Sequence, residues 1–305
     1  MSFRHPRPAS TLIELLTVLA VLGVLVGLLL TAVQAARAAA ARISCSNNLR
    51  QLGLASHQYL DSYQTLPPSS TQLTNPVISR YGVPWTVLLL PYLEQTALRE
   101  TVEPAFIASG LVRNPPHVGL STVVKVYTCP ADARLVAPIT DDMGYTAAYG
   151  SYLAVTGSGA YTRDGPSITI EGNGAFGDVG VRTADITDGL SQTLLLGERP
   201  PPGAYLYGNW YTVYYPYAFL FGQYSWGLTL TASLALDYNG CRGPFQFGPG
   251  RIENPCDSHH FWSLHPGGGW FAFADGSVHF LPYSARSILP ALATRAGGEV
   301  IPDGY

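Results

Sequence analysis

Charge is scarce in this chain. It carries 17 basic and 20 acidic residues, 12 per cent of 305, where an ordinary globular domain carries about 25 per cent. Lys125 is the single lysine, the formal charge is −3, and no stretch concentrates arginine. A sequence-independent phosphate-binding face has nothing to build on, so nucleic acid is not an expected partner. Catalytic signatures are missing too: there is no GxSxG, no P-loop and no HExxH, which argues against the hydrolases, nucleotidases and zinc proteases that those motifs mark. No catalytic residue, metal ligand or cofactor is assigned from the sequence, and a non-enzyme is expected. The four cysteines, Cys45, Cys129, Cys241 and Cys256, stand too far apart for paired zinc-ribbon knuckles. No period of 20 to 50 residues recurs, against a solenoid or propeller.

What is present begins with an apolar run. Residues 15–36, LLTVLAVLGVLVGLLLTAVQAA, hold no charge and as a helix rise about 33 Å, enough to cross a hydrocarbon core of about 30 Å. The run is longer than the apolar region of a secretory signal peptide and passes into helix-favouring AARAAAARI. Arg4 and Arg7 precede it and Arg37, Arg42 and Arg50 follow, so counting positive charges does not orient it. Glu14 sits at its front edge, where a carboxylate is costly and calls for a partner. Gly23 and Gly27 form a small-xxx-small pair of the kind that lets helices approach in lipid.

Beyond Arg42 the spacing of Cys45, Leu49, Leu52, Ser56, Tyr59, Leu60 and Tyr63 predicts an amphipathic continuation of the same helix, to residue 63, before Pro67 and Pro68. A second helix is expected over 86–100, with Pro91 inside it. The remainder, rich in the 32 glycines and 24 prolines, reads as short strands at 123–128, 145–155, 193–198, 225–236, 270–274 and 278–281. FAFADGSVHF is the clearest hairpin, with Asp275 and Gly276 expected as a two-residue type I′ turn and Phe271, Phe273, Val278 and Phe280 as apolar positions. The expected fold class is α+β: a long N-terminal helix packed on a mainly antiparallel head.

Two resemblances follow. ASTLIELLTVLAVLGVLVGLLLTAVQAARAAA resembles the prepilin-type cleavage and methylation segment of type IV pilins and type II secretion pseudopilins. That resemblance implies a leader of residues 1–9 ending at Ala9, a methylated mature start at Ser10, and Glu14 as the fifth mature residue, pairing with a neighbouring subunit's amino terminus. Ala9 replaces the usual glycine, and Ser10 a large apolar residue. HPGGGWFAFADG places His265 nine residues before Asp275 and Gly276, an H-x9-DG motif over a 265–281 hairpin; with CSNNLRQLGLASHQY, LLLPYLEQ, YTCPAD and VRTADITDGLSQTLLLGE it is similar to a bacterial family of pseudopilin-like proteins, domain of unknown function 1559. The resemblance implies a helix over 10–63 with its membrane part at about 12–36, a head over 64–305, a cytoplasmic N-terminus, and a periplasmic or cell-surface head. The implied partners are a prepilin peptidase, other pilin-like subunits and membrane lipid.

The remaining candidates are weaker. Cys241 and Cys256 bracket a Gly/Pro-rich loop and are the favoured disulfide; Cys45 also fits as an apolar helix-face residue, which leaves Cys45 with Cys129 open. His259, His260, His265 and His279 lie within 21 residues but read as surface or turn histidines, with His265 expected to bond Asp275. Asp141 and Asp142 lack the alternating ligands of a calcium loop. Asp185 and Asp188 suit turns and caps, and Ser158 a glycine-rich turn. The tyrosine-rich segment 205–224 is the basis of the alternative function, an anchored module that binds a glycan or protein without polymerising.

Overall fold

The structure is a computed structural model describing residues 12–71, 83–108, 116–140, 144, 146–158, 161–164, 167–170, 172–177, 179–201, 203, 208–211, 229–230, 233–234 and 240–302. The chain forms two compact units, Met1–Ile43 and Ser44–Tyr305. The first consists, where described, of the beginning of α1 (Leu12–Tyr63). Its apolar side chains face outward on every side, with Leu16, Leu22 and Leu29 all at least half exposed. This stretch is long and apolar enough to cross a membrane.

In the second unit the rest of α1 becomes one-sided: Cys45, Leu49, Leu52, Ala55, Ser56 and Tyr59 are buried at a three-to-four spacing, whereas Leu54 and Tyr63 are exposed. Gln64 turns the chain out of the helix at φ 62°, and Pro67 and Pro68 follow. The expected 86–100 helix is interrupted. Trp85–Leu88 forms α2, Leu90–Leu93 a 3-10 turn containing Pro91, and Thr96–Ala108 forms α3. Pro91 has no N–H to continue the α ladder, Glu94 takes φ 60°, and Arg99 Nη1 donates to Val87 O at 2.9 Å, satisfying a carbonyl that the break leaves open.

The strands are β1 (Ile139–Thr140), β2 (Thr146–Ala147), β3 (Tyr152–Val155), β4 (Tyr161–Asp164), β5 (Ser167–Ile170), β6 (Leu194–Glu198), β7 (Thr229–Leu230), β8 (Ser233–Leu234), β9 (Phe245–Gln246), β10 (Gly268–Phe273) and β11 (Val278–Pro282). Five make the main sheet, in the order β11-β10-β6-β3-β7. Only the β3–β7 pair is parallel. The expected strand at 123–128 is instead a 3-10 turn, Lys125–Tyr127. Its carbonyls serve other groups: Tyr127 O accepts from Ser151 N–H at 2.8 Å and Thr128 O from Asn48 Nδ2 at 2.8 Å. Of the expected 225–236 strand, only β7 and β8 fall within the described residues.

The sheet has a core on each face. Tyr152, Ala154, Leu196, Ala272 and Ala274 share a cluster with the buried face of α1, with Trp85, Tyr127 and Trp210. Leu153, Val155, Leu194, Phe271, Phe273 and Leu281 cluster on the other side with Phe247, Phe261 and two residues, Leu289 and Leu292, of α4 (Leu289–Leu292). Strand alternation divides these sets in β3 and β10; in β6 the register against β10 passes from Ala272↔Leu196 to Phe273↔Leu194, and this irregularity lets Leu194 and Leu196 face opposite sides. Three positions on the helix side are alanine, opposite larger Leu and Phe positions on the far side, which leaves room for α1 to lie close. On the far side Gly197 makes room for the rings: a Cβ there would stand 2.5 Å from the Phe271 ring and 2.8 Å from Phe261.

The hairpin differs from expectation in its turn. β10 and β11 pair as far as Ala272↔Val278, and beyond that Phe273 N–H donates to Ser277 O and Gly276 N–H to Phe273 O, each at 2.9 Å. Only Gly276 has positive φ, 84°; Asp275 does not. The loop is therefore the three-residue kind closed by one left-handed residue, not the two-residue type I′ turn, which requires two. Phe271 and Phe273 are buried, while Val278 and Phe280 are half-buried. The tip lies on α1: a Cβ on Gly53 would be 3.6 Å from Gly276 Cα, and one on Gly276 3.4 Å from His57 Nε2.

Candidate functional site

Four residues from distant parts of the chain meet between α1 and the sheet. Cys45 stands on the buried face of α1. Cys129 follows the 3-10 turn, its N–H held by Ser151 Oγ at 3.0 Å. Glu198 is the last residue of β6, and His265 lies in the loop before β10. Their ligand atoms all fall within 4.8 Å of one another. Cys45 and Cys129 form a disulfide with Cα atoms 5.0 Å apart; His265 Nε2 is 3.6 Å from Cys129 Sγ and 3.3 Å from Glu198 Oε1.

Burial makes this unusual chemistry. The exposures are 0 per cent for Cys45, 4 for Cys129, 2 for Glu198 and 6 for His265, and a buried carboxylate requires compensation. Glu198 Oε2 accepts the Trp270 N–H at 2.8 Å. Oε1 has no hydrogen bond within the described residues, only the approach to the imidazole. Ser263 Oγ fastens the loop by accepting from His265 N–H at 2.9 Å and donating to Gly268 O at 2.6 Å. Around the rim, Asn48 Nδ2 donates to the Tyr152 hydroxyl, which donates to Cys45 O, both at 3.3 Å. Burial, and then the field of Glu198, push the Tyr152 hydroxyl pKa well up. With all four groups buried, the arrangement ties the helix to the residues around the sheet.

His265 thus faces Glu198 and Cys129 rather than Asp275. The Asp275 carboxylate instead accepts the Ser277 N–H at 2.8 Å within its own turn. Cys241 and Cys256 are also joined, Cα atoms 5.4 Å apart, across their Gly/Pro-rich loop. Glu14 lies exposed in the first turn of α1, and a Cβ on Gly23 or Gly27 would meet nothing within 4 Å. Ala9, Ser10, Asp141 and Asp142 lie outside the described residues. Asp185 pairs with Arg182 at 2.8 Å, and Asp188 accepts from the N–H groups of Gly297 and Gly298 at 2.7 and 2.9 Å. Ser158 N–H donates to Asn173 Oδ1 at 3.0 Å, and Asn173 Nδ2 to Ser158 Oγ at 3.1 Å, which makes it part of a tied turn.

The other histidines are separate. His260 Nε2 meets Asp257 at 3.0 Å, His279 meets Ser277 Oγ at 3.1 Å, and His259 packs its ring 5.0 Å from Phe245. Burial first, then the charges of Arg199 and His260, lower the His259 pKa to about 4. Above pH about 6.5 neither folded nor unfolded His259 holds a proton; below it the unfolded chain takes one that the folded head refuses. Stability should therefore drain away as pH falls from 6.5 toward 4, with about 2 kcal/mol gone at pH 5 from this group. Urea titrations of residues 44–305 at pH 7 and pH 5 measure the loss; His259→Gln should shrink it, and an unchanged difference would assign the acid sensitivity elsewhere.

Glu198 was not singled out from the sequence. A carboxylate ending the apolar run TLLLGE is the signal that was present, since a strand buried throughout has no solvent for a charged end. A family model described as a protein of unknown function (DUF1559) matches residues 34–286, a range that includes all four members of the cluster. No curated protein and no solved structure matches the chain.

Proposed function

The chain belongs to the DUF1559 family, and on that premise we propose that it is a non-enzymatic pseudopilin-like subunit, cleaved by a prepilin peptidase, anchored in the cell membrane and packed through its long helix against other pilin-like subunits. The observation that carries this reading is the division of one 52-residue helix: an apolar stretch without protein cover, then a stretch with one face built into an α+β head. An isolated anchor has no need of a helix that continues into the core of its head. A pilin-like subunit does, because the helix then transmits subunit position to the head. The two disulfides favour a head outside the reducing cytoplasm, which supports an N-terminus on the cytoplasmic side. For the alternative binding module, the structure describes the tyrosine-rich segment only at residues 208–211, where Trp210 and Tyr211 are buried.

Mass spectrometry of the protein from its membrane should find a methylated mature terminus at Ser10. Intact Met1, or a terminus C-terminal to the apolar run, would remove the prepilin assignment. Glu14→Val should insert at least as well as wild type, since a carboxylate in lipid is costly. Cysteine crosslinking between neighbouring helices should nevertheless fall by about tenfold, because the partner's amino terminus loses its counter-charge. Equal crosslinking would make Glu14 an interfacial anchor residue only.

A further inference from the structure

We propose that the dithiol form of the head binds one zinc ion through Cys45 Sγ, Cys129 Sγ, His265 Nε2 and Glu198 Oε1, the disulfide being the metal-free form of the same site. This departs from the sequence reading, which assigned no metal ligands. The donors are of the classes that zinc takes, two thiolates, an imidazole and a carboxylate. Bonds of about 2.3 Å to sulfur and about 2.0 to 2.1 Å to nitrogen and oxygen, at tetrahedral angles, separate sulfur from nitrogen by about 3.6 Å and nitrogen from oxygen by about 3.3 Å. The observed Cys129 Sγ to His265 Nε2 distance is 3.6 Å, and His265 Nε2 to Glu198 Oε1 is 3.3 Å. Both of these donor pairs, each including His265 Nε2, already have the spacing that a zinc ion imposes, and all four donors lie within 4.8 Å of one another; the two sulfurs have to part to about 3.8 Å once the covalent bond is gone.

Glu198 Oε1 is a second, independent pointer. Among the described residues it is a buried oxygen without a hydrogen bond, 3.3 Å from His265 Nε2 and within 4.8 Å of the sulfurs, while Oε2 is held by the Trp270 N–H. That division leaves one oxygen for a single bond to metal and fixes the carboxylate from behind, as outer-shell contacts do in zinc sites. Ser263 does the same for the His265 backbone. Among the described residues Cys241 and Cys256 have no such group gathered at them.

The chemistry balances without an unnamed reagent. A dithiol reductant opens the bond by exchange, passing two electrons and two protons to the sulfurs and leaving as its own disulfide. Zinc then displaces the two thiol protons to solvent and takes the Nε2 lone pair of a neutral imidazole, so binding tightens as pH rises. Because the four groups are covered, the ion has to enter as α1 closes on the sheet. Either bond then makes the same helix-to-sheet tie.

The test uses the full chain in detergent, denatured and reduced, then refolded without oxygen with Zn²⁺ or Co²⁺ and desalted. The reduced chain should retain about one zinc and the oxidised chain less than about a tenth of that. Cobalt should give a thiolate charge-transfer band and the intense visible bands of a tetrahedral site. Zinc should protect Cys45 and Cys129, and not Cys241 and Cys256, from alkylation in the wild-type chain, a readout that does not depend on any variant folding. Cys241→Ser with Cys256→Ser should keep the stoichiometry, and His265→Ala should lose it or the tetrahedral spectrum. No retained metal, protection of the Cys241/Cys256 pair instead, or an unaltered cobalt spectrum in His265→Ala would each overturn the proposal. None of these readouts depends on whether the chain polymerises.

Discussion

Replacing Cys45 and Cys129 together by alanine is expected to lower the stability of the head by about 4 to 5 kcal/mol. The bond spans 84 residues, and the unfolded chain regains the entropy of that whole loop when it is removed. The second bond spans only 15, so Cys241→Ala with Cys256→Ala should cost about 3 kcal/mol. Alanine is the appropriate replacement, because serine would add hydroxyls to a site already holding a buried carboxylate. The larger loss corresponds to a fall in Tm of about 10 to 15 °C for a unit of this size. Thermal unfolding of residues 44–305 with chelator present measures both variants. A first pair no more costly than the second would mean that the helix is held to the sheet by packing, and that the unfolded chain is already compact around Cys45.

Much of the fold was legible because it rests on periodicity. The apolar run, the three-to-four spacing from Cys45 to Tyr59 and the alternation in WFAFADGSVHF each report one face of one element. The observed bounds of α1, Leu12–Tyr63, follow from the first two of those patterns. What was not legible depends on backbone partners. VVKVYT has strand composition, yet among the described residues no strand pairs with it, and its carbonyls are used by Asn48 and Ser151. The turn at Asp275 and Gly276 has type I′ composition, but closure at Phe273 and Ser277 sets a three-residue loop, which needs positive φ only at Gly276.

The cluster was legible only in fragments. Cys45 read equally well as a hydrophobic helix residue, Cys129 as its open partner, and His265 as a turn fastener. No local spacing joins them, because their contact is made by the packing of α1 on the sheet and not by any motif. Glu198 belonged to a stretch quoted for its strand character, and its significance appears only when the strand proves buried to its last residue. The H-x9-DG pattern then has a physical reading in two halves. Its histidine reaches into the cluster and its Asp-Gly forms the tip against Gly53 and His57, so nine residues are the length of β10 and its two connections. One strand thereby spaces two of the contacts made on α1.

Gly276→Val is the sharpest test of that second half. At φ 84° a β-branched side chain is strained, at about 1 to 3 kcal/mol. Its Cβ would also stand 3.4 Å from His57 Nε2, beyond which the γ-carbons meet α1. Pushing the tip away from the helix adds a packing loss of about 1 to 3 kcal/mol, giving about 2 to 6 kcal/mol in all. Gly276→Asn separates the two contributions: asparagine tolerates the left-handed region, so it should keep the turn and lose only what its side chain displaces on α1. Chemical denaturation of residues 44–305 should rank wild type above Gly276→Asn above Gly276→Val. Disulfide formation between Cys45 and Cys129 during refolding should slow in the same order, since the tip guides α1 into place. If Gly276→Val left stability intact but lowered crosslinking between subunits, the hairpin tip would be a recognition surface, and the approach to Gly53 incidental to the fold.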